Sequence, residues 1–364
     1  MIQYSALAIQ SSFWSIRKRA DISKNLDHLT QLIPSFYYLA SIELPCRLVA
    51  LAEGALGGWS DDILAIDRAQ AAKEMYPEIP GEETDILGEI CKQYNFYLIG
   101  QTKASDPEIM ENQLFNMAFI IDPRGKVILK HRKTQVFARE GTTCPHDIWD
   151  KYIEKFGKDP EKLLEAIFPV VRTEIGNIGC IICMEGSYPE TARALAVNGA
   201  EIIYRPSYAE PFVGNEVFEV QNRAHAIFNT CYVIAPNTGP CNLAPYIWKE
   251  QLAPQDRYGG NSMLIDYKGQ IISKHVSTGD SYVSGIINIT ALRDYRVRAL
   301  FGNYLKDLRV EQYRLIYEAA EARGGIYPKN LWMKEPPKKD HKDRDEIIKQ
   351  CIQKLINQGV WIPP

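Results

Sequence analysis

The chain has 364 residues, 46% of them hydrophobic, and a formal charge of −3. That is enough apolar residue to bury a large core, and too even a charge to favour nucleic acid or an anionic membrane surface as partner. The start, Met1-Ile-Gln-Tyr-Ser-Ala-Leu-Ala-Ile, lacks the basic residues, long apolar stretch and cleavage site of a signal peptide, and no apolar run approaches the roughly 18 residues that cross a bilayer.

Apolar, β-branched runs predict strands over 2–10, 47–53, 96–102, 115–121, 126–130, 178–183, 200–204, 230–236, 262–266, 270–274 and 282–288. Helical periodicity falls over 15–41, 85–95, 187–198, 214–229, 308–322 and 343–357. Asp122-Pro-Arg-Gly125 and Asp266-Tyr-Lys-Gly269 are turn sequences between apolar runs, which predicts hairpins at 115–130 and 262–274. Strands and helices mixed with hairpins point to a layered α/β sandwich rather than a doubly wound parallel sheet. With no linker before residue 330, residues 1–330 form one domain in this reading.

Two segments stand apart. Residues 142–168 are an insertion rich in helix signals: Ile148, Trp149, Tyr152, Ile153 and Phe156 at helical spacing, then Asp159-Pro160 as N-cap and first-turn proline. It is either a decoration packing its own apolar face or a lid or subunit contact beside the active site. Residues 331–364 form a C-terminal extension, in which a charged run precedes an amphipathic stripe of Ile347, Ile348, Cys351, Ile352, Leu355 and Ile356. Such a stripe must be buried somewhere, and a neighbouring subunit is one place for it.

Eight irregularly spaced cysteines point to a reducing cytoplasm rather than a disulfide framework. Cys180 and Cys183 have a Cys-x-x-Cys spacing, but no second pair and no spaced histidine pair follows, so no metal is expected. Cys183 instead stands where an apolar run gives way to Met184-Glu-Gly-Ser-Tyr-Pro189 and a helix. Strand alternation puts it on the opposite face from Cys180, at a turn whose backbone N–H groups can face a developing oxyanion.

Lys133 follows the second strand of the first predicted hairpin, and Glu53 ends the apolar run 46–52 just before Gly54, where desolvation raises a carboxyl toward the general-base range. Each residue also has an ordinary reading: a buried structural thiol, a surface lysine, a carboxylate capping a turn. Together, with Glu140 seven residues after Lys133, they make a nucleophile set for attack on carbon bonded to nitrogen.

The chain resembles the nitrilase, or carbon–nitrogen hydrolase, superfamily from residue 2 to about residue 300. In that resemblance Glu53 corresponds to the general base, Arg132-Lys133 to the Arg-Lys element, and Cys183 with Glu185, Pro189 and Glu190 to the nucleophile elbow. Gly186-Ser-Tyr-Pro-Glu190, Asn198-Gly-Ala-Glu-Ile-Ile203 and Arg223–Ile234 are most similar to aliphatic amidases and formamidases. Glu140 resembles their second glutamate.

The resemblance implies a four-layer α-β-β-α sandwich with mixed sheets, paired as a homodimer or larger through the helix after the nucleophile and one near residue 310. It implies hydrolysis of a small carboxamide through a cysteine thioester, with no metal or organic cofactor. Nitrile or N-carbamoyl hydrolysis are the alternatives, with Arg205 or Arg139 available for a carbamoyl substrate's carboxylate. Met184, where nitrilases usually carry Trp, supplies a backbone N–H to the oxyanion. Phe137 and Tyr208 are candidate pocket walls by proximity, although aromatics there serve equally as core. A non-catalytic scaffold would have no reason to keep Glu53, Lys133 and Cys183 together.

Overall fold

The computed structural model describes residues 1–59, 66–138, 140–208, 216–242, 259–337 and 342–364. The first half runs β1 (Gln3–Gln10), β2 (Phe13–Trp14), α1 (Ile22–Ala40), β3 (Cys46–Leu51), α2 (Arg68–Glu74), α3 (Glu82–Tyr94), β4 (Tyr97–Ser105), β5 (Leu114–Ile121) and β6 (Val127–Arg132). Two short helices follow, α4 (Trp149–Phe156) and α5 (Pro160–Ile167). The second half runs β7 (Val170–Thr173), β8 (Gly176–Cys180), α6 (Pro189–Val197), β9 (Ile202–Tyr204), α7 (Val217–Asn229), β10 (Tyr232–Ala235), β11 (Cys241–Asn242), β12 (Ser262–Ile265), β13 (Ile271–His275) and β14 (Ser281–Asn288). Three helices close the chain, α8 (Ile289–Arg298), α9 (Val310–Ala322) and α10 (Lys342–Asn357).

Two six-stranded mixed sheets result, ordered β14-β1-β3-β4-β5-β6 and β13-β12-β10-β9-β8-β7. When the second is taken in reverse, the two share one pattern: antiparallel, parallel, parallel, antiparallel, antiparallel. The two hairpin turns repeat each other atom for atom. Asp122 N–H donates to the Lys126 carbonyl and Asp266 N–H to that of Gln270, both at 2.9 Å. Gly125 and Gly269 take the positive φ (75° and 79°) that closes each turn.

Strand alternation sorts the side chains into layers. Leu7, Ile9, Val49, Leu51 and Leu98 face α1 and α3, where Leu26, Leu29, Ile33 and Leu87 meet them. On the other face Ala6, Ala8, Leu48, Ala50, Ile99 and Ala118 meet Ile178, Cys180, Ile202, Tyr204 and Ile234 of the opposing sheet. Alanines on this inner face let the sheets approach closely. Ile203, Val233, Met263 and Ile265 point outward under Ala192, Leu195 and Ala226 of α6 and α7. The fold is therefore the expected four-layer α-β-β-α sandwich.

Several boundaries differ from the sequence expectations. The helix expected over 15–41 begins at Ile22, because Phe13–Trp14 pairs instead with Cys241–Asn242. The strand expected over 178–183 ends at Cys180, and Cys183 opens a 3-10 turn through Ser187. Alternation thus stops short of Cys183, which packs against the same inter-sheet layer as Cys180 rather than on the opposite face. Helices α2 and α8 and strand β7 had no clear pattern: α2 has seven residues, and α8 buries Ile289 and Leu292 alone. Among the described residues no helix is long and apolar enough to cross a membrane.

Candidate active site

The candidate residues stand on loops at the ends of β3, β6 and β8. Glu53 lies two residues past β3, and Tyr204 of the opposing sheet anchors that strand end by donating its hydroxyl to the Leu51 carbonyl at 2.6 Å. The next residue, Gly54, has φ +79° and its N–H donates to Gln101 Oε1 at 2.7 Å. A Cβ there would come within 2.5 Å of the Trp59 indole nitrogen, so both conformation and space call for glycine. Lys133 follows β6 directly, and its N–H extends the β5 pairing to the Asn116 carbonyl at 2.8 Å.

Three charged side chains, each at most 1% exposed, meet there. Lys133 Nζ lies 2.7 Å from Glu140 Oε2 and 3.4 Å from Glu53 Oε1. Asn116 of β5 donates to both carboxylates, at 3.0 Å to Glu53 and 2.8 Å to Glu140, and is itself held by Gln101 Nε2 at 2.5 Å. The backbone N–H of Tyr208 supplies Glu53 Oε2 at 3.0 Å, and Thr142 Oγ1 supplies Glu140 Oε1 at 2.7 Å. The Cys183 thiol stands beside Glu53 and favours its ionised form.

These surroundings separate the two carboxyls. Burial pushes Glu53 above the usual range, with Glu140 adding to the rise against the opposing effects of Lys133, Asn116 and Cys183. Burial also acts upward on Glu140, but the Lys133 and Lys103 ammonium groups outweigh it and hold that carboxyl low. Lys133 is lowered by burial, yet Glu140 and then Glu53 lift it well above the ordinary lysine range. The result is an ionised Lys133–Glu140 pair beside a carboxyl of raised basicity that stands next to the thiol. A pair of titratable groups driven apart in this way is how one site separates charge stabilisation from proton transfer.

The elbow is set by Glu185, which is fully buried. Its Oε2 accepts the Ile182 N–H at 2.6 Å, and its Oε1 accepts the N–H and hydroxyl of Thr134 at 2.8 and 2.5 Å. Buried His131 lies 3.0 Å from Oε2. Burial would raise this carboxyl, but His131 and Thr134 hold it below the usual range. Cys183 itself has φ +45°, a left-handed conformation that costs a non-glycine residue about 1–3 kcal/mol. Its N–H donates to the Pro206 carbonyl at 2.9 Å, which helps to fix that conformation.

The pocket candidates are placed differently. The Tyr208 ring is half-buried against Trp59 and Phe13, with ring centroids 4.7 and 5.8 Å away. Phe137 is 51% exposed, and its backbone rather than its ring engages Glu140, through a carbonyl that accepts the Glu140 N–H at 2.9 Å. Met184 is half-buried in the elbow turn. Arg205 is fully buried, lying over the Phe218 ring and against Gly186 on the outer side of the elbow. Arg139 lies outside the described residues. Among the described residues no three His, Cys, Asp or Glu side chains are grouped to hold a metal.

The sequence reading missed Asn116, Gln101 and His131. Their signal was present as polar residues within the strands, Gly-Gln-Thr-Lys after Leu98-Ile99 in β4, Asn116 inside Leu114–Ile121 and His131 inside Val127–Arg132. A polar side chain that must be buried needs a partner, and here the partners are the charged groups of the site.

A mixed-sheet α-β-β-α sandwich with a buried Glu–Lys–Glu cluster against a cysteine elbow defines a class of hydrolase. The carbon-nitrogen hydrolase family model matches residues 4–296, and the chain belongs to that family. It is 28% identical over 225 residues to omega-amidase NIT2 of Danio rerio, covering 62% of this chain and 73% of that protein. It is 27% identical over 238 residues to a formamidase of Bacillus cereus, covering 65% of this chain and 60% of that protein. The fold matches Saccharomyces cerevisiae Nit3 of the nitrilase superfamily with a TM-score of 0.60 at 20% identity, over 82% of this chain and 95% of that one. An amidase from Nesterenkonia sp. matches with a TM-score of 0.58 at 19% identity, over 85% and 95%.

Proposed function

We propose that the protein hydrolyses a small carboxamide to a carboxylic acid and ammonia through a thioester on Cys183. The observation that carries this reading is the buried cluster in which Lys133 lies between Glu53, at 3.4 Å, and Glu140, at 2.7 Å, with the Cys183 thiol beside Glu53. Glu53 takes the thiol proton, and the thiolate attacks the amide carbon. Lys133 and the Met184 N–H receive the oxyanion.

Collapse of the tetrahedral intermediate breaks the C–N bond, and Glu53 returns the proton to the departing ammonia. Water then gives up a proton to Glu53 as it attacks the thioester, and the thiol is restored. Glu140, held ionised by Lys133, keeps the lysine charged and orients substrate and water. Phe137, Met184 and Tyr208 border the substrate in this reading.

The amide reading is favoured over the nitrile one by the Gly186–Glu190 elbow sequence and by the amidase names of the relatives. An N-carbamoyl substrate is less well supported, because Arg205 is occupied behind the elbow by Phe218 and by Gln221, 3.2 Å from its Nη2. Cytoplasmic residence is part of the proposal, supported by eight cysteines of which none is in a disulfide. So is a homodimer through α6 and α9: no residue of α9 is buried, and its Tyr317 reaches Glu190 of α6 at 2.8 Å.

The test is ammonia release from formamide, short aliphatic amides, matched nitriles and N-carbamoyl amines, with Cys183→Ala as control. Release from amides that disappears in the control is the expected result. Amide turnover that survives Cys183→Ala would refute the thioester route, and a preference for nitriles would refute the substrate class.

A further inference from the structure

The C-terminal extension folds back onto its own chain beside Glu140. Arg344 of α10 is 4% exposed, and Trp332, twelve residues earlier, is 8% exposed. Arg344 Nη2 donates to the Thr142 carbonyl at 3.1 Å and lies 3.5 Å from Asp147 Oδ2, with its guanidinium over the Trp332 ring at 5.8 Å. The Trp332 backbone N–H donates to the Asp147 carbonyl, and the Trp332 carbonyl accepts from Gln113 Nε2, both at 3.0 Å. Gln113 is in turn bonded by Thr143 Oγ1 at 2.5 Å.

Thr142 is the link. Its carbonyl is held by Arg344 while its hydroxyl donates to Glu140 Oε1 at 2.7 Å. A tail that merely covered apolar surface would have no need to bury a guanidinium, since a buried charge costs more than an apolar residue unless it is well paired. Here the cation is spent on the backbone and carboxylate of the segment that continues from Glu140.

We propose that Arg344, acting through Thr142, is a positioning residue for Glu140, so that the C-terminal extension is part of the active-site scaffold. The proposal rests on Glu140 having the role given above. Without Arg344 the Thr142 peptide is released, its hydroxyl drifts from Glu140, and Lys133 loses its fixed partner next to Cys183. Displacements of that size cost one to two orders of magnitude in rate.

The experiment uses the full chain. Arg344→Met, Thr142→Val and the double variant are compared for kcat, KM and melting temperature, and for the pH profile of Cys183 alkylation by iodoacetamide, with Cys183→Ala giving the background. Arg344→Met/Asp147→Asn removes the buried unpaired carboxylate and so restores folding without restoring the contact to Thr142. Expected is a roughly 10- to 100-fold lower kcat with KM little changed in each single variant, the same shift of the alkylation profile in both, and no further loss in the Arg344/Thr142 double variant.

The stabilised Arg344→Met/Asp147→Asn protein should stay slow, and Lys354→Ala, which cuts a surface tie of the same helix to Gly324, should be unchanged. Full kcat and an unshifted alkylation profile in Arg344→Met, or losses that simply add in the double variant, would overturn the proposal. If the wild type turns over no amide, nitrile or carbamoyl compound, the proposed function falls instead, and the alkylation profiles still decide the positioning role.

Discussion

Glu185 accepts the backbone N–H of Thr134 at 2.8 Å. Through that contact the residue after the candidate lysine is fastened to the turn that carries the candidate nucleophile, because the same carboxylate also holds the N–H of Ile182. The lysine and cysteine loops come from different sheets, β6 and β8, and their spacing is set by one buried anion rather than by either loop alone.

Glu185→Gln should therefore damage catalysis without touching a reacting group. The amide presents a donor to one of the N–H groups that the carboxylate accepts, and the loops separate. A loss of about 100-fold in kcat/KM is expected, the usual consequence of misplacing reacting groups by about 1 Å. Steady-state rates within a few-fold of wild type would show that the loops hold their spacing unaided.

The pH dependence follows from Glu53. Its carboxyl is raised, chiefly by burial, and works as a base only when ionised, so kcat/KM should fall as pH drops through a value above the ordinary carboxylate range. Asn116 favours the ionised form by its hydrogen bond, so Asn116→Leu should move this acid limb to still higher pH. It should also destabilise the fold by about 1–3 kcal/mol, because two buried carboxylates lose a donor. A limb that moves to lower pH in the variant would argue against Glu53 as the base.

His225 on α7 gives a stability prediction independent of activity. Its Nε2–H donates to the Gly186 carbonyl at 2.8 Å, which requires no charge on the ring. Burial pushes its pKa from 6.5 down to about 4, against the Gly186 contact and with help from the nearby Arg205. The unfolded chain binds a proton that the fold refuses between these values, so stability is full above pH 6.5 and declines as pH falls toward 4, by about 3 kcal/mol. Urea midpoints measured across that window should slope less in His225→Gln than in wild type; equal slopes would assign the decline to other groups.

The exposed side of α9 tests the proposed dimer. Leu315 and Ile316 are 60% and 59% exposed, and a helix that buries none of its residues in its own chain is a candidate to bury them in a second copy. Leu315→Glu with Ile316→Glu should convert a dimer to a monomer in light scattering. A mass unchanged by the two charges would place any association elsewhere.

The sequence determined the layers and marked most of the candidate site by local rules. Apolar runs place every strand of the two six-stranded sheets except β7, and the Asp-x-x-Gly turns place both hairpins, because these depend on neighbours within a few residues. Glu53, Lys133 and Cys183 stood out for the same local reason, each at the end of an apolar run or close behind one, and Glu140 by its spacing of seven residues from Lys133 and by resemblance.

What the sequence left open depends on contacts between distant segments. Cys183 leaves the strand pattern because Glu185 and Pro206 pull the chain into a left-handed turn, which no alternation rule anticipates. Asn116 and Gln101 look like flaws in apolar strands until three charged groups are found around them. The C-terminal extension showed an apolar stripe and a tether, but its buried Arg344 is 202 residues from Thr142. Burying a charge is favourable only where a partner waits, and only tertiary structure decides where that is.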